Sequence, residues 1–183
     1  MKKFVILGSG TSGLIAAAMI KAHWEDKVDV SVYYDKSKKN IGVGESTTPM
    51  IHLLLRCLGE TSSSIIQNIR TTVKLGINFK NWIPNSDYFH GFSEIEYYGV
   101  SEYSGALYSL LNDCYNGNLL FNHATNQVPG KTFEYGHAFH LDTQDLCAYI
   151  EKKLQDKVYF IDDIAEKINR DGNNIESIDF KKS

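Results

Sequence analysis

Residues 4–13 read Phe4-Val5-Ile6-Leu7-Gly8-Ser9-Gly10-Thr11-Ser12-Gly13. A four-residue apolar run passes directly into three glycines spaced G-x-G-x-x-G. The run predicts a strand of a parallel sheet, buried on both faces. The three glycines serve separate ends, namely a tight turn, close approach of backbone to a pyrophosphate, and close contact between helix and strand. Leu14 to Ile20 (LIAAAMI) predicts a buried helix that continues to about Trp24. Its N-terminus, at Thr11 and Ser12, presents free N–H groups and a positive dipole to a phosphate. Val28 to Tyr34 predicts a second strand, and Asp35 follows 22 residues after Gly13, a spacing suited to a ribose hydroxyl. Strand, glycine turn, helix, strand and acid together make half of a doubly wound α/β nucleotide-binding fold.

The rest of the composition is compatible with that fold. The chain has 183 residues, with 43% hydrophobic and 22% charged residues, enough for a sizeable core. A net charge of −3 gives no reason to expect a nucleic-acid or anionic-membrane surface. No apolar run approaches the roughly 20 residues of a membrane span. The basic, then apolar, start Met1–Leu7 reads as the first strand rather than a signal peptide. Cys57, Cys114 and Cys147 are odd in number and far apart, which argues against a disulfide framework and for a cytoplasmic protein with reduced thiols. His137 and His140 lack a Cys or carboxylate at metal-ligand spacing, so no metal is expected.

Downstream, Thr48-Pro49 resembles an N-cap followed by proline at the first helical position, opening a helix over Ile51 to Leu58 that stops at Gly59. Thr61 to Ile69 predicts another helix. Val73, Leu75, Ile77 and Phe79 then alternate with Lys74, Gly76, Asn78 and Lys80, predicting one half-buried strand with Lys74 on its polar side. Residues 86–137 are rich in Tyr, Asn, Ser and Gly, with a helical patch at Gly105 to Leu111, and read as an insertion. The nucleotide-binding core is expected in residues 1–85 and 138–183. Its second part has a strand at Ala138–Leu141, a helix from Thr143 to Leu154 and a strand at Val158–Ile161. A strand pair, 164–169 with 175–180, is expected to turn at Asp171-Gly172-Asn173-Asn174.

Four segments resemble those of a known family. Gly42-Val43-Gly44-Glu45-Ser46-Thr47-Thr48-Pro49 resembles the G-x-G-E-A-T-x-P segment of the flavin-dependent tryptophan halogenases, with Ser46 where alanine is usual. Thr72-Val73-Lys74-Leu75-Gly76-Ile77-Asn78-Phe79-Lys80-Asn81-Trp82 is similar to the strand bearing that family's catalytic lysine, and Lys74 is the match. Ala138-Phe139-His140-Leu141-Asp142 resembles its H-x-D segment before a helix, and Asp162-Asp163-Ile164 its D-D-[IV] turn, whose backbone meets the adenine in related flavoproteins. The resemblance implies a Rossmann-like FAD-binding fold of the flavin monooxygenase/halogenase type. It also implies FAD contacts from Gly8, Gly10, Thr11, Ser12, Gly13, Asp35, Gly42, Val43, Gly44, Glu45, Ser46, Thr47 and Ile164.

The implied activity uses FADH2 from a separate flavin reductase, together with O2 and halide, to halogenate an electron-rich aromatic such as tryptophan or indole. Hypohalous acid would reach Lys74, which holds it or forms a haloamine beside the substrate. Tyr97, Tyr98, Tyr103 and Tyr108 are candidates for the substrate side. Family members are much longer, and their W-x-W-x-I-P signature, catalytic glutamate and halide loop have no counterpart in these 183 residues, where Trp24 and Trp82 stand alone. The fold is therefore expected to be incomplete at the C-terminus, with little halogenation by this chain alone. A non-catalytic FAD-binding remnant and a flavin-dependent hydroxylase are the alternatives.

Overall fold

A computed structural model describes residues 1–38, 42–82, 84–85, 87–92 and 137–182. Its elements in chain order are β1 (Lys2–Leu7), α1 (Thr11–Trp24), β2 (Val28–Tyr34), β3 (Gly44–Ser46), α2 (Ile51–Leu58), α3 (Ser62–Asn68) and β4 (Thr71–Lys74). There follow β5 (Gly76–Lys80), β6 (Asp87–Gly91), β7 (Ala138–Asp142), α4 (Thr143–Leu154), β8 (Tyr159–Asp162), β9 (Ala165–Asp171) and β10 (Asn174–Phe180). Two compact units result: Met1–Glu45, Leu53–Arg70 and Leu141–Ser183 form one, Ser46–His52 and Thr71–His140 the other. The expected helical patch at 105–111, Cys114 and the four insertion tyrosines lie outside the described residues.

The first unit is built on a parallel sheet in the order β1-β2-β8, with Phe4 beside Val30, Ile6 beside Val32, and Val32 beside Phe160. Alternation puts Val28, Val30 and Val32 on one buried face. Leu14, Ala17 and Ala18, at i, i+3 and i+4, form the buried stripe of α1, which packs against α4. On α4 the buried residues include Leu146, Cys147, Ile150 and Leu154. Each large aliphatic side chain buried here contributes roughly 1.5–3 kcal/mol. Opposite this sheet's α1 side, Phe180 of β10 stacks on Tyr33 with ring centroids 3.9 Å apart. β9 and β10 form the expected hairpin, Asp171 facing Asn174 across Gly172-Asn173, where Gly172 supplies a φ of +57°.

Three expectations need correction. β1 is not buried on both faces: Val5 and Leu7 are 45% and 47% exposed. Phe4 and Ile6 face α1, as the Phe4–Trp24 ring stack shows, whereas Val5 and Leu7 alternate to the other side of an edge strand. The α1 helix is likewise buried along a stripe only, with Met19 exposed. The strand expected over 73–79 is also broken at Leu75. β4 pairs in the order β3-β7-β4, whereas β5 pairs antiparallel with β6. The two halves belong to different ladders and share no single face, so Val73 is exposed while Lys74 is half-buried.

The glycine turn fixes how closely α1 approaches β1. A Cβ on Gly13 would lie 2.1 Å from the Gly8 carbonyl oxygen and 3.3 Å from Ile6 Cγ2. Alanine in a helix gains up to about 1 kcal/mol over glycine from propensity. A clash with fixed backbone costs about 1–3 kcal/mol, so the clash should win. Gly13→Ala is expected to lower unfolding free energy, measured by urea titration of the tryptophan fluorescence.

Candidate functional site

The turn between β1 and α1 leaves an open helix end. Gly8 adopts φ +107° and donates its N–H to the Tyr33 carbonyl at 2.8 Å, which curls the chain into the turn. Gly10 is the N-cap of α1; it provides no side-chain cap, and the first turn holds no acidic residue. Early helical N–H groups have no intrahelical acceptor and concentrate positive potential. A Cβ at Gly10 would meet nothing within 4 Å, so the approach to these donors is clear. This geometry fits a phosphate or pyrophosphate. Ser12 is exposed beside it, while Thr11 Oγ1 turns inward to Cys147 Sγ at 3.6 Å.

At the end of β2, Asp35 caps its own turn, accepting from Ser37 N at 3.0 Å and Ser37 Oγ at 2.5 Å. The Ser37 hydroxyl bond, helped by the backbone bond and by Lys38, holds this carboxyl below its ordinary range. An ionised acceptor in this place suits a sugar hydroxyl.

Helix α4 gathers the next segment. Asp142 caps it, accepting from Gln144 N at 2.8 Å and Asp145 N at 3.3 Å. Thr143 Oγ1 donates to the Val43 carbonyl at 2.7 Å and accepts from Val43 N at 3.1 Å, clamping the chain at both backbone groups. Gly42 lies against Gln144, whose Nε2 would be 2.3 Å from a Cβ placed there. One turn further along α4, Cys147 meets Thr11; burial pushes its thiol pKa up, and nearby Glu45 adds to this. Residues i and i+4 share a helix face, so Thr143 and Cys147 bring Val43 and the start of α1 to one side of α4. Sequence reasoning missed Thr143, Gln144 and Cys147. The available signal was a pair of small polar side chains four apart directly after a capping aspartate.

Gly44 and Glu45 continue into β3, with Glu45 half-buried and Ser46 exposed. In the second unit, Thr47 donates its N–H to the Phe139 carbonyl at 2.9 Å. Its Oγ1 donates to that carbonyl at 3.0 Å and accepts from Phe139 N at 2.9 Å. The Lys74 Nζ donates to the Thr47 carbonyl at 2.9 Å and lies 5.3 Å from the centroid of the buried Phe92 ring. Carbonyl dipole and ring face both attract a cation. The expected helix start near Pro49 is present, since Ile51 N bonds to Thr48 O and His52 N to Pro49 O.

Other candidates fall elsewhere. The Ile164 N–H is taken by Asp163 Oδ1 at 2.8 Å and its carbonyl accepts from Lys181 N at 3.0 Å. The buried Asp163 carboxylate also accepts from Lys182 N at 2.9 Å, so this turn is tied mainly to its own chain. His137 is buried with its ring edge-on to His52 at 4.6 Å, and His140 is exposed. Among the described residues no group of three or more His, Cys, Asp or Glu side chains is placed to hold a metal ion. Nor is any described helix long and apolar enough to cross a membrane.

An open glycine turn on a parallel βαβ unit, an acid at the end of the second strand and a second glycine segment define a Rossmann-type α/β fold. The family described as Tryptophan halogenase matches residues 3–182, and the chain belongs to that family. It is 33% identical over 86 residues to the 7-chloro-L-tryptophan 6-halogenase KtzR of Kutzneria sp. (strain 744), covering 47% of this chain and 17% of that protein. Against the tryptophan 7-halogenase RebH of Lentzea aerocolonigenes it is 22% identical, covering 96% of this chain and 39% of the relative. The crystal structure of a tryptophan halogenase from Shewanella frigidimarina NCIMB 400 superposes with a TM-score of 0.76 at 21% identity, covering 100% of this chain and 40% of that one. The chain therefore spans well under half the length of these relatives.

The start of α4 is also held by charge. Arg70 Nε donates to Asp145 at 2.7 Å and its second nitrogen reaches Asp142 at 3.0 Å. The Arg70 side-chain bond, followed by its backbone bond, keeps the Asp145 carboxyl below its usual 3.8. Because the folded value is depressed, this stabilisation is complete above the ordinary carboxylate range and is lost as pH falls through the lowered value. Asp145→Asn should flatten the acid limb of the stability–pH profile below about pH 4–5 and leave its neutral and alkaline parts parallel to the wild type.

Proposed function

We propose that this chain provides the FAD-binding turn and the transfer lysine of a flavin-dependent halogenase acting on an electron-rich aromatic such as tryptophan or indole. The observation that carries the proposal is the hydrogen bond from Lys74 to the carbonyl of Thr47. It joins the resembling lysine strand to the resembling G-E-S-T-T-P segment at one place. Gly8, Gly10 and Gly13, with the N–H groups at Thr11 and Ser12, would hold the pyrophosphate, and Asp35 the ribose. Gly42–Ser46, set in place by Thr143, would line the flavin side. When bound and reduced by a separate reductase, the flavin would supply two of the four electrons that O2 takes up, and halide the other two, giving hypohalous acid and water. Lys74 then holds that oxidant by hydrogen bonding next to the ring to be attacked, or carries the halogen as a haloamine. Halide, aromatic substrate and reductase are the partners of this reading, and a cytoplasmic location goes with the free thiols of Cys57 and Cys147.

Fluorescence titration should show FAD binding with NAD unable to compete. Tight NAD binding with no response to FAD would refute the cofactor assignment. Gly10→Val should lower the thermal melt only modestly, since its side chain enters open space but valine is a poorer N-cap than glycine, yet weaken FAD binding at least about tenfold, or ~1.4 kcal/mol.

In any form of the protein that halogenates, Lys74→Ala should cut halogenated product by about a hundredfold or more while leaving flavin reoxidation nearly unchanged. Equal product yields would remove Lys74 from the mechanism. FAD binding with no product from any form of the protein would favour a non-catalytic remnant, and a hydroxylated product would favour a hydroxylase.

A further inference from the structure

We propose that Thr47 is the positioning residue of Lys74, so that the end of the glycine segment serves the lysine. Thr47 is fixed to the Phe139 backbone through three hydrogen bonds, one from its N–H and two at Oγ1, all between 2.9 and 3.0 Å. Phe139 is fully buried on β7, which has β4 and Lys74 as its neighbour on one side. Held this way, the Thr47 peptide has its carbonyl aimed at Lys74 Nζ, 2.9 Å away, with the Phe92 ring as the second contact.

The side-chain hydroxyl is what makes the residue specific. A backbone carbonyl is available from any amino acid at position 47. Only a hydroxyl on the β-carbon can bond both the N–H and the C=O of Phe139 from one atom. Among the described residues this carbonyl takes one of the three donors that the lysine amine has when charged. The functional meaning of this inference rests on the proposed role of Lys74; the placement of the amine does not.

The test therefore reads the amine directly. In competitive acetylation with peptide mass spectrometry, Lys74 of the wild type should react about five- to tenfold more slowly than exposed Lys80, the factor one ordinary net hydrogen bond carries. Thr47→Val, which keeps the shape and removes the hydroxyl, should bring Lys74 up toward the Lys80 rate, and Thr47→Ser should restore protection. Lys80, near Asp87, and Lys153, paired with Glu60 on α4, serve as controls and should not change. Unchanged Lys74 protection in folded Thr47→Val would overturn the proposal.

Should the valine variant fail to fold, the wild-type chain decides alone. A through-hydrogen-bond coupling between Lys74 15Nζ and the Thr47 carbonyl 13C supports the proposal, and its absence from a resolved ammonium signal refutes it. Neither measurement uses halogenation. A positioned Lys74 whose alanine variant still halogenates would sink the transfer role and leave Thr47's role standing.

Discussion

Helix α1 reaches β1 closely because Gly13 has no side chain to hold it off the Gly8 carbonyl. That one contact sets the geometry of the first unit. With it, the helix start lies at the carboxyl end of the strand, and Gly10 opens its unsatisfied N–H groups to an approaching anion. Leu14, Ala17 and Ala18 then fall in register with the valines of β2 and the buried face of α4. A methyl group at this crossing would shift all three together, since close-packed layers transmit displacement instead of absorbing it.

Helix α4 is the second organising element. Its N-terminus is held from outside by Arg70 through Asp142 and Asp145, and its buried face presents Thr143 and Cys147 one turn apart. Thr143 binds both backbone groups of Val43, an efficient way to immobilise a glycine-flanked segment that has little side-chain packing of its own. Loops near a cofactor gain precision when a regular element holds them in this way. Here the hydroxyl of one threonine does this on α4, and that of Thr47 does it on β7.

Lys74 shows how far a period-two pattern can be followed. The alternation from Val73 to Lys80 is real in the sequence, yet the strand breaks at Leu75 and each half joins a different ladder. Lys74 is consequently half-buried while Val73, nominally on the apolar side, is exposed. Its amine is held by a carbonyl from a segment 27 positions earlier and lies over a ring from 18 positions later. Periodicity reports local preference for faces; it carries no information on which strand will supply the neighbour.

What the sequence determined by itself was local. The glycine turn, the βαβ order, the Thr48-Pro49 helix start and the hairpin at Gly172 follow from residues within a few positions of one another. Backbone sterics and hydrogen bonding within a turn act over that range. Family membership was legible for the same reason, because its motifs are contiguous. Tertiary structure decided which face of β1 is covered, where the 73–79 strand breaks, and that Ile164's backbone groups are engaged by Asp163 and Lys181. It also decided that Thr143, Cys147 and Thr47 are the residues that set Val43, Thr11 and Lys74 in place. These last three pairings join groups separated by 27 to 136 positions at hydrogen-bond distance, and only packing selects such pairs.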